Sequence, residues 1–115
     1  MDRETAIQLF EKLVATNPRI ERKGDTMPYT SLNGHMFSVM TKEGKLALRL
    51  SADDRAAFLK KYNTTICEQY GHVMPEYVVV PDGLLAKTRE LKGYFDASYA
   101  YVSSMKPKPT TKKKR

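Results

Sequence analysis

Asn33-Gly34 lies between two short apolar runs and constrains the fold more than any other pair in the chain. A two-residue type I′ turn needs positive φ at both central positions, and asparagine followed by glycine meets that need at the lowest steric cost. Tyr29 to Leu32 and Met36 to Thr41 therefore read as the two arms of an antiparallel hairpin. Apolar residues of the second arm fall on both of its faces, which places it inside a sheet. Glu43-Gly44 supplies the next tight turn, and Lys45 to Leu50 reads as a third strand. Leu46, Leu48 and Leu50 point one way along it, while Lys45, Ala47 and Arg49 point the other. One face is expected to cover a core and the other to meet solvent or a partner.

Helical periods flank this sheet. Asp2 and Glu4 put negative charge at a helix start, and Ile7, Phe10 and Val14 follow on one stripe that Leu9 and Leu13 widen. Asn17-Pro18 is expected to end that helix, because the residue before a proline is pushed out of the α region. After the third strand, Ser51 with Asp54 three residues on predicts a capping box, with Phe58, Leu59 and Tyr62 on the buried edge and Asn63-Thr64-Thr65 as the stop. Ile66 to Gln69 reads as a short strand, Gly71 as a break, and Glu76 to Val80 as a strand buried on both faces. Pro81-Asp82-Gly83 turns the chain into one last helix, whose apolar face runs Leu84, Leu91, Phe95 and Val102 at spacings of 7, 4 and 7. Gly93 inside it costs about 1 kcal/mol against alanine and reads as a close contact or a kink. The expected fold is α+β, a two-layer arrangement of antiparallel sheet and helices in the order α-β(3)-α-β(2)-α. No repeat is visible.

The formal net charge of +7 points toward phosphate backbones until its distribution is read. Lys106, Lys108, Lys112, Lys113, Lys114 and Arg115 hold six of the 20 basic residues, and all 13 acidic residues precede them. That leaves 14 cations against 13 anions in residues 1–105, a net of +1. The expected organisation is a folded domain over 1–105 and a lysine-rich tail over 106–115. The tail has no apolar residue, so it cannot bury enough surface to offset the entropy of ordering, and it is expected to be disordered. Six cations on such a segment bind polyanions weakly, without sequence preference and with strong salt dependence. Lysine-rich termini also serve simply as solubilising segments. One cysteine, Cys67, excludes an intramolecular disulfide. No basic-then-apolar leader opens the chain, and no apolar run reaches the roughly 20 residues of a membrane span. The expectation is a cytoplasmic protein without membrane contact.

Candidate chemistry is sparse. His35, His72 and Cys67 are the only soft ligands, and their spacing fits no zinc pattern. Cys67 and His72, five apart across a turn, could touch, but no residue orients the histidine and no oxyanion hole is visible. The bland readings are a turn-adjacent histidine and a cysteine packed as a small hydrophobe. Asp53-Asp54 suits a helix start better than acid–base work. No phosphate-cradling glycine loop occurs. Tyr94, Tyr99 and Tyr101 sit on the last helix near the tail, where aromatics could stack on bases. However, Tyr99 and Tyr101 point about 160° apart on a helix. Core packing of Phe95 and one tyrosine is the expectation, with an exposed tyrosine marking a protein interface. Neither a catalytic residue, a metal nor a cofactor is expected.

Two stretches carry a resemblance. MPYTSLNGHMFSVMTKEGKLALRLS, Met27 to Ser51, resembles the TfoX N-terminal domain family, with its Gly-x-Met-Phe element at Gly34 to Phe37, a hairpin and a leucine-rich strand ahead of a helix. MPEYVVVPDGLL, Met74 to Leu85, is similar to the family's second signature, a strand ending at proline before a helix that carries LKGYFDASYAYVSSM. The resemblance covers about residues 10 to 105. It implies a two-layer domain similar to secretion chaperones, which by analogy admits a homodimer. The family's named members are longer regulators of natural competence that act with a transcription factor and carry a second, helical domain. This chain resembles a short stand-alone member, and the family brings no catalytic motif to its residues. The expected function is a non-enzymatic protein-interaction or regulatory module. The alternative is an accessory nucleic-acid-binding protein whose tail cations, Lys106, Lys108, Lys112, Lys113, Lys114 and Arg115, make nonspecific phosphate contacts.

Overall fold

The computed structural model describes residues 1–107 of the 115. Its elements are α1 (Arg3–Val14), β1 (Tyr29–Leu32), β2 (His35–Met40), β3 (Leu46–Arg49), α2 (Ala52–Tyr62), β4 (Ile66–Gln69), β5 (His72–Val80), α3 (Asp82–Leu85) and α4 (Thr88–Ser103). The five strands form one antiparallel sheet in the order β1-β2-β3-β5-β4, so the fold is α+β. The Asn33-Gly34 turn forms as expected, with φ of 57° and 81°. A second turn of the same kind joins β4 to β5 at Tyr70-Gly71, with φ of 54° and 76°. Tyrosine is a poor turn former, so only its glycine was legible in the sequence. This turn starts β5 at His72 rather than Glu76.

Helices cover one face of the sheet. Asp2 caps α1 by accepting a hydrogen bond from the Thr5 amide at 2.8 Å. Ala6, Phe10, Leu13 and Val14 are the residues that α1 buries. The helix ends at Val14, before Asn17-Pro18, as the Thr16 hydroxyl donates back to the Leu13 carbonyl at 2.7 Å. Phe10, Phe37, Phe58 and Phe95 are all at most 1% exposed, and full burial of a side chain of this size contributes about 1.5–3 kcal/mol. Phe37 on β2 meets Phe95 and Tyr99 of α4 at centroid distances of 5.7 and 5.9 Å. Phe58 on α2 meets Tyr62 and Tyr94 at 4.7 and 5.0 Å.

Two bulges shape the sheet. Thr30 faces Ser38 but Ser31 faces Met36, so Phe37 is an extra residue in β2. A bulge turns consecutive side chains toward one face, which explains why Phe37 and Met40 both enter the helix-covered core. The buried Thr30 and Ser38 hydroxyls pair across the two strands at 2.5 Å. On the other edge Ile66 faces Val78 while Glu68 faces Val73, so β5 carries three extra residues there. Pro75 falls within this irregular stretch, where the lack of an amide hydrogen is tolerated.

Three expectations are corrected. The last helix is two helices: Leu84 and Leu85 are buried from the short α3, and Leu91, Phe95, Ser98 and Val102 from α4. The apolar spacing ran through the break because both pieces pack on the same core. Ser51 occupies the N-cap of α2, but its side chain makes no capping bond, so the box with Asp54 does not form. Ala47 is completely buried, so the outward side of β3 is not an open surface along its whole length.

Gly93 is exposed in the second turn of α4, and a Cβ there meets nothing within 4 Å, so it serves neither a close contact nor a steric need. Gly93→Ala is expected to raise stability by about 1 kcal/mol, or about 4 °C in Tm. Thermal denaturation followed by circular dichroism measures this, and an unchanged or lowered Tm counts against the account.

Candidate functional site

Val39, Ala47 and Cys67 form a second buried cluster on the sheet face opposite the helices. Each is at most 4% exposed, which requires a cover. That cover is Met27, Tyr29, Met36, Met74, Tyr77 and Val79, all half-buried, and no helix residue is among them. Val39 pairs with Ala47 and Ala47 with Val79, so this apolar row runs straight across β2, β3 and β5. Three of the six covering residues are methionines, whose flexible thioethers adapt to irregular contacts. Beside this face the β4–β5 hairpin exposes Tyr70 by 69% and Val73 by 61%, more than any other large apolar residue among those described. The Tyr70 hydroxyl reaches the Met27 sulfur at 3.7 Å and ties the hairpin tip to the α1–β1 connection.

One end of the face is closed by charge. Arg49 Nε donates to Glu76 Oε1 at 2.7 Å, and its Nη1 to the Met36 carbonyl at 3.3 Å. The Tyr77 hydroxyl donates to the same carbonyl at 2.6 Å, and the Tyr101 hydroxyl to Glu76 Oε2 at 2.8 Å. The guanidinium stands 5.9 Å from the centroids of both tyrosine rings, a cation–π geometry. Burial pushes the Glu76 carboxyl upward. Hydrogen bonds from Arg49 and Tyr101, with the charges of Arg49 and Arg55, outweigh it and hold the group below its ordinary value. Burial raises the Tyr77 phenol, and raises the Tyr101 phenol together with its bond to Glu76. Through these bonds the cluster fastens β2, β3, β5 and α4 together.

The residues singled out from sequence do not converge. His35 opens β2, and its Nε2 lies 2.9 Å from the Lys106 carbonyl, holding the chain after α4 against the β1–β2 hairpin. His72 is exposed at the start of β5. Cys67 is buried on β4, and burial, with Glu43 nearby, pushes its thiol up, away from the thiolate form that a nucleophile needs. Among the described residues, no three of His, Cys, Asp and Glu gather as metal ligands would. Tyr94, Tyr99 and Tyr101 are all half-buried against the core, more than the single packed tyrosine expected. Lys106 is exposed, while Lys108, Lys112, Lys113, Lys114 and Arg115 lie outside the described residues. No described helix is long and apolar enough to cross a membrane. The methionine cover was missed from sequence because Met27, Met36 and Met74 come from three separate segments, and only the sheet register brings them to one face. No protein-family profile, no curated protein and no solved structure matches the chain.

The Arg49–Glu76 pair carries an acid dependence. Because Glu76 titrates lower in the folded chain than its ordinary 4.5, its contribution is full at neutral pH and fades as the pH falls through the folded value. The carboxylate is 34% exposed, so solvent screening keeps the contribution near about 1 kcal/mol. Glu76→Gln is expected to lower the Tm at pH 7 by about 4 °C, with the gap to wild type narrowing as the pH falls below the ordinary 4.5 and through the lower folded value. A pH series of paired thermal melts measures this; a gap constant with pH rules out the ionic account.

Proposed function

We propose that this chain is a non-enzymatic protein-interaction or regulatory module resembling the TfoX N-terminal domain, and that it works through the helix-free face of its sheet. The observation that carries this reading is the one-sided cover. Helices shield one face, whereas Val39, Ala47 and Cys67 on the other are roofed only by half-buried methionines, tyrosines and a valine. Uncovered apolar surface of this kind marks protein contact in soluble domains, and methionine and tyrosine are enriched in interfaces. The reactive groups support a binding role too, since burial moves the Cys67 thiol and the Tyr77 phenol upward, away from neutral-pH chemistry.

The partner proposed first is a second copy of the chain. The apolar row is uncharged, and the cation at its end, Arg49, is neutralised by Glu76. Two such rows related by a twofold axis bring no charge of their own against each other. Sedimentation equilibrium of the full chain is expected to show a dimer. Replacing Met36 and Met74 by lysine places two charges on each face and is expected to weaken association at least tenfold, with the far-ultraviolet spectrum unchanged. A wild-type chain that stays monomeric throughout a wide concentration series overturns the self-pairing.

One observation favours a second reading, an accessory nucleic-acid-binding protein: six of the cations behind the +7 charge stand in the last ten residues. If those cations supply the affinity, replacing them by glutamine abolishes oligonucleotide binding, and the wild-type log–log salt slope is at most about −5. Binding that survives the replacement with little salt dependence assigns recognition to the folded residues instead.

A further inference from the structure

The sheet ends differently at its two edges. Outside β1, the Lys23 amide donates to the Tyr29 carbonyl at 2.8 Å and the Tyr29 amide to the Lys23 carbonyl at 2.9 Å. The Lys23 ammonium also donates to the Ser31 hydroxyl at 2.9 Å, so the α1–β1 connection seals this edge. The other edge is β4, which pairs with β5 alone. There the Val79 amide donates to the Thr65 carbonyl at 2.9 Å. In an antiparallel ladder the next residue then turns its amide and carbonyl away from the partner strand, and that residue is Ile66, opposite Val78. The far end of β4 gives the same alternation. Gln69 and His72 close the Tyr70-Gly71 turn, so Glu68, opposite Val73, also turns its main chain outward. Among the described residues no backbone group bonds to Ile66 or Glu68 from that side. Bulges and charges commonly protect a sheet edge. Here the bulge lies on β5, and Glu68 is the one charged residue of β4.

An open edge of this kind is completed by a further strand, and β4 is complementary to itself. Around a twofold axis, outward-turned residues must face outward-turned residues. Glu68 against the partner's Glu68 sets like charges opposite each other, which destabilises a strand pair. Ile66 against the partner's Ile66 leaves Glu68 facing Thr64, which lies outside β4. Ile66 against the partner's Glu68 uses both outward residues of both chains and opposes no like charges. The axis then passes at Cys67, which meets the partner's Cys67 with the Cβ atoms about 4.5–5.5 Å apart. Cys67 is buried with Val39 and Ala47 on the helix-free face. The apolar row that crosses β2, β3 and β5 therefore reaches this edge and continues into the row of the partner. Facing residues of an antiparallel pair share one side of the sheet, so the helices of both copies stay on the other side. A foreign strand offers the same backbone groups but not this continuation of the row.

We propose that two copies of the chain join β4 to β4, antiparallel and centred on Cys67, so that five strands from each form one continuous sheet. The Ile66 amide donates to the partner's Glu68 carbonyl, and the Glu68 amide to the partner's Ile66 carbonyl. This rests on the self-pairing proposed above and gives it a geometry. The test is amide hydrogen exchange of the full chain, ¹⁵N-labelled, at concentrations below and above the dimer midpoint found by sedimentation. The Ile66 and Glu68 amides are expected to exchange about tenfold more slowly in the dimer. Glu68→Pro removes an amide that no strand of its own chain uses, as edge prolines do. It is expected to weaken association about tenfold with the far-ultraviolet spectrum unchanged. A chain that stays monomeric overturns the self-pairing and this geometry together. A dimer whose Ile66 and Glu68 amides exchange as fast as those of the monomer, or that forms equally well with Glu68→Pro, overturns the edge joint alone. Protection of these amides that does not change with concentration also overturns it, and assigns the edge to a segment of the same chain.

Discussion

The extra residue in β2 sets the terms for the rest of the molecule. The paired ladder between β2 and β3 stops at Ser38 opposite Leu48, and Phe37 bulges immediately beyond it. A strand that bulges loses regular backbone partners, and a buried carbonyl left alone costs about 1–3 kcal/mol. Side chains replace the ladder here. The Ser98 hydroxyl, buried in the middle of α4, reaches the carbonyls of Phe37 and Arg49, sharing one proton between them. Arg49 and Tyr77 both donate to the Met36 carbonyl. The Arg55 guanidinium takes the next carbonyl, that of Leu50, at 2.8 Å. The bulge therefore commits Ser98, Arg49, Tyr77 and Arg55 to fixed structural tasks. Losing several of these contacts at once amounts to a large fraction of a small domain's stability of about 5–15 kcal/mol.

That commitment separates the two faces. On the helix side the bulge pushes Phe37 into contact with Phe95 and Tyr99, and α4 is held against the sheet both by apolar packing and by the Ser98 hydroxyl. On the other side the alternation of β3 and β5 puts Ala47, Tyr77 and Val79 outward, with no element arriving to cover them. The chain closes this face with side chains alone, three methionines among them. An arrangement that buries Cys67 to 2% while leaving its neighbours half-exposed is a roof one layer thick. A roof of this kind gathers apolar side chains from three strands and the α1–β1 connection into one place.

Much of this was legible in the sequence, and the failures share one cause. Asn33-Gly34 fixed the first hairpin because its requirement for positive φ is local. Leu46, Leu48 and Leu50 marked the core face of β3 because alternation is local as well. The bulge at Phe37 is not local: it exists only in the register between β2 and β1, and nothing in HMFSVM announces it. The split between α3 and α4 was hidden because Leu84 and Leu91 kept a helical spacing across the break. The Tyr70-Gly71 turn was half-visible, since glycine marked a bend but tyrosine gave no hint of positive φ. The Met27, Met36 and Met74 roof, and the gathering of Lys12 with Lys87 and Arg89, needed the tertiary fold.

Charge gives the last step. Overall basicity describes this protein poorly, because the residues up to 105 nearly balance and the excess lies in the final ten. Within the balanced part the positions still differ. Lys45 is paired with Asp82, Arg22 with Glu11, Arg49 with Glu76 and Lys92 with Asp96, so these cations are locally neutralised. Lys12, Lys87 and Arg89, at the α1–α4 end, have no ion-pair partner among the described residues. Electrostatic attraction acts through local field and geometry and not through the net count. A near-neutral body can therefore keep unpaired cations at one end and an uncharged apolar row on another face, independently of the cations in the final ten residues.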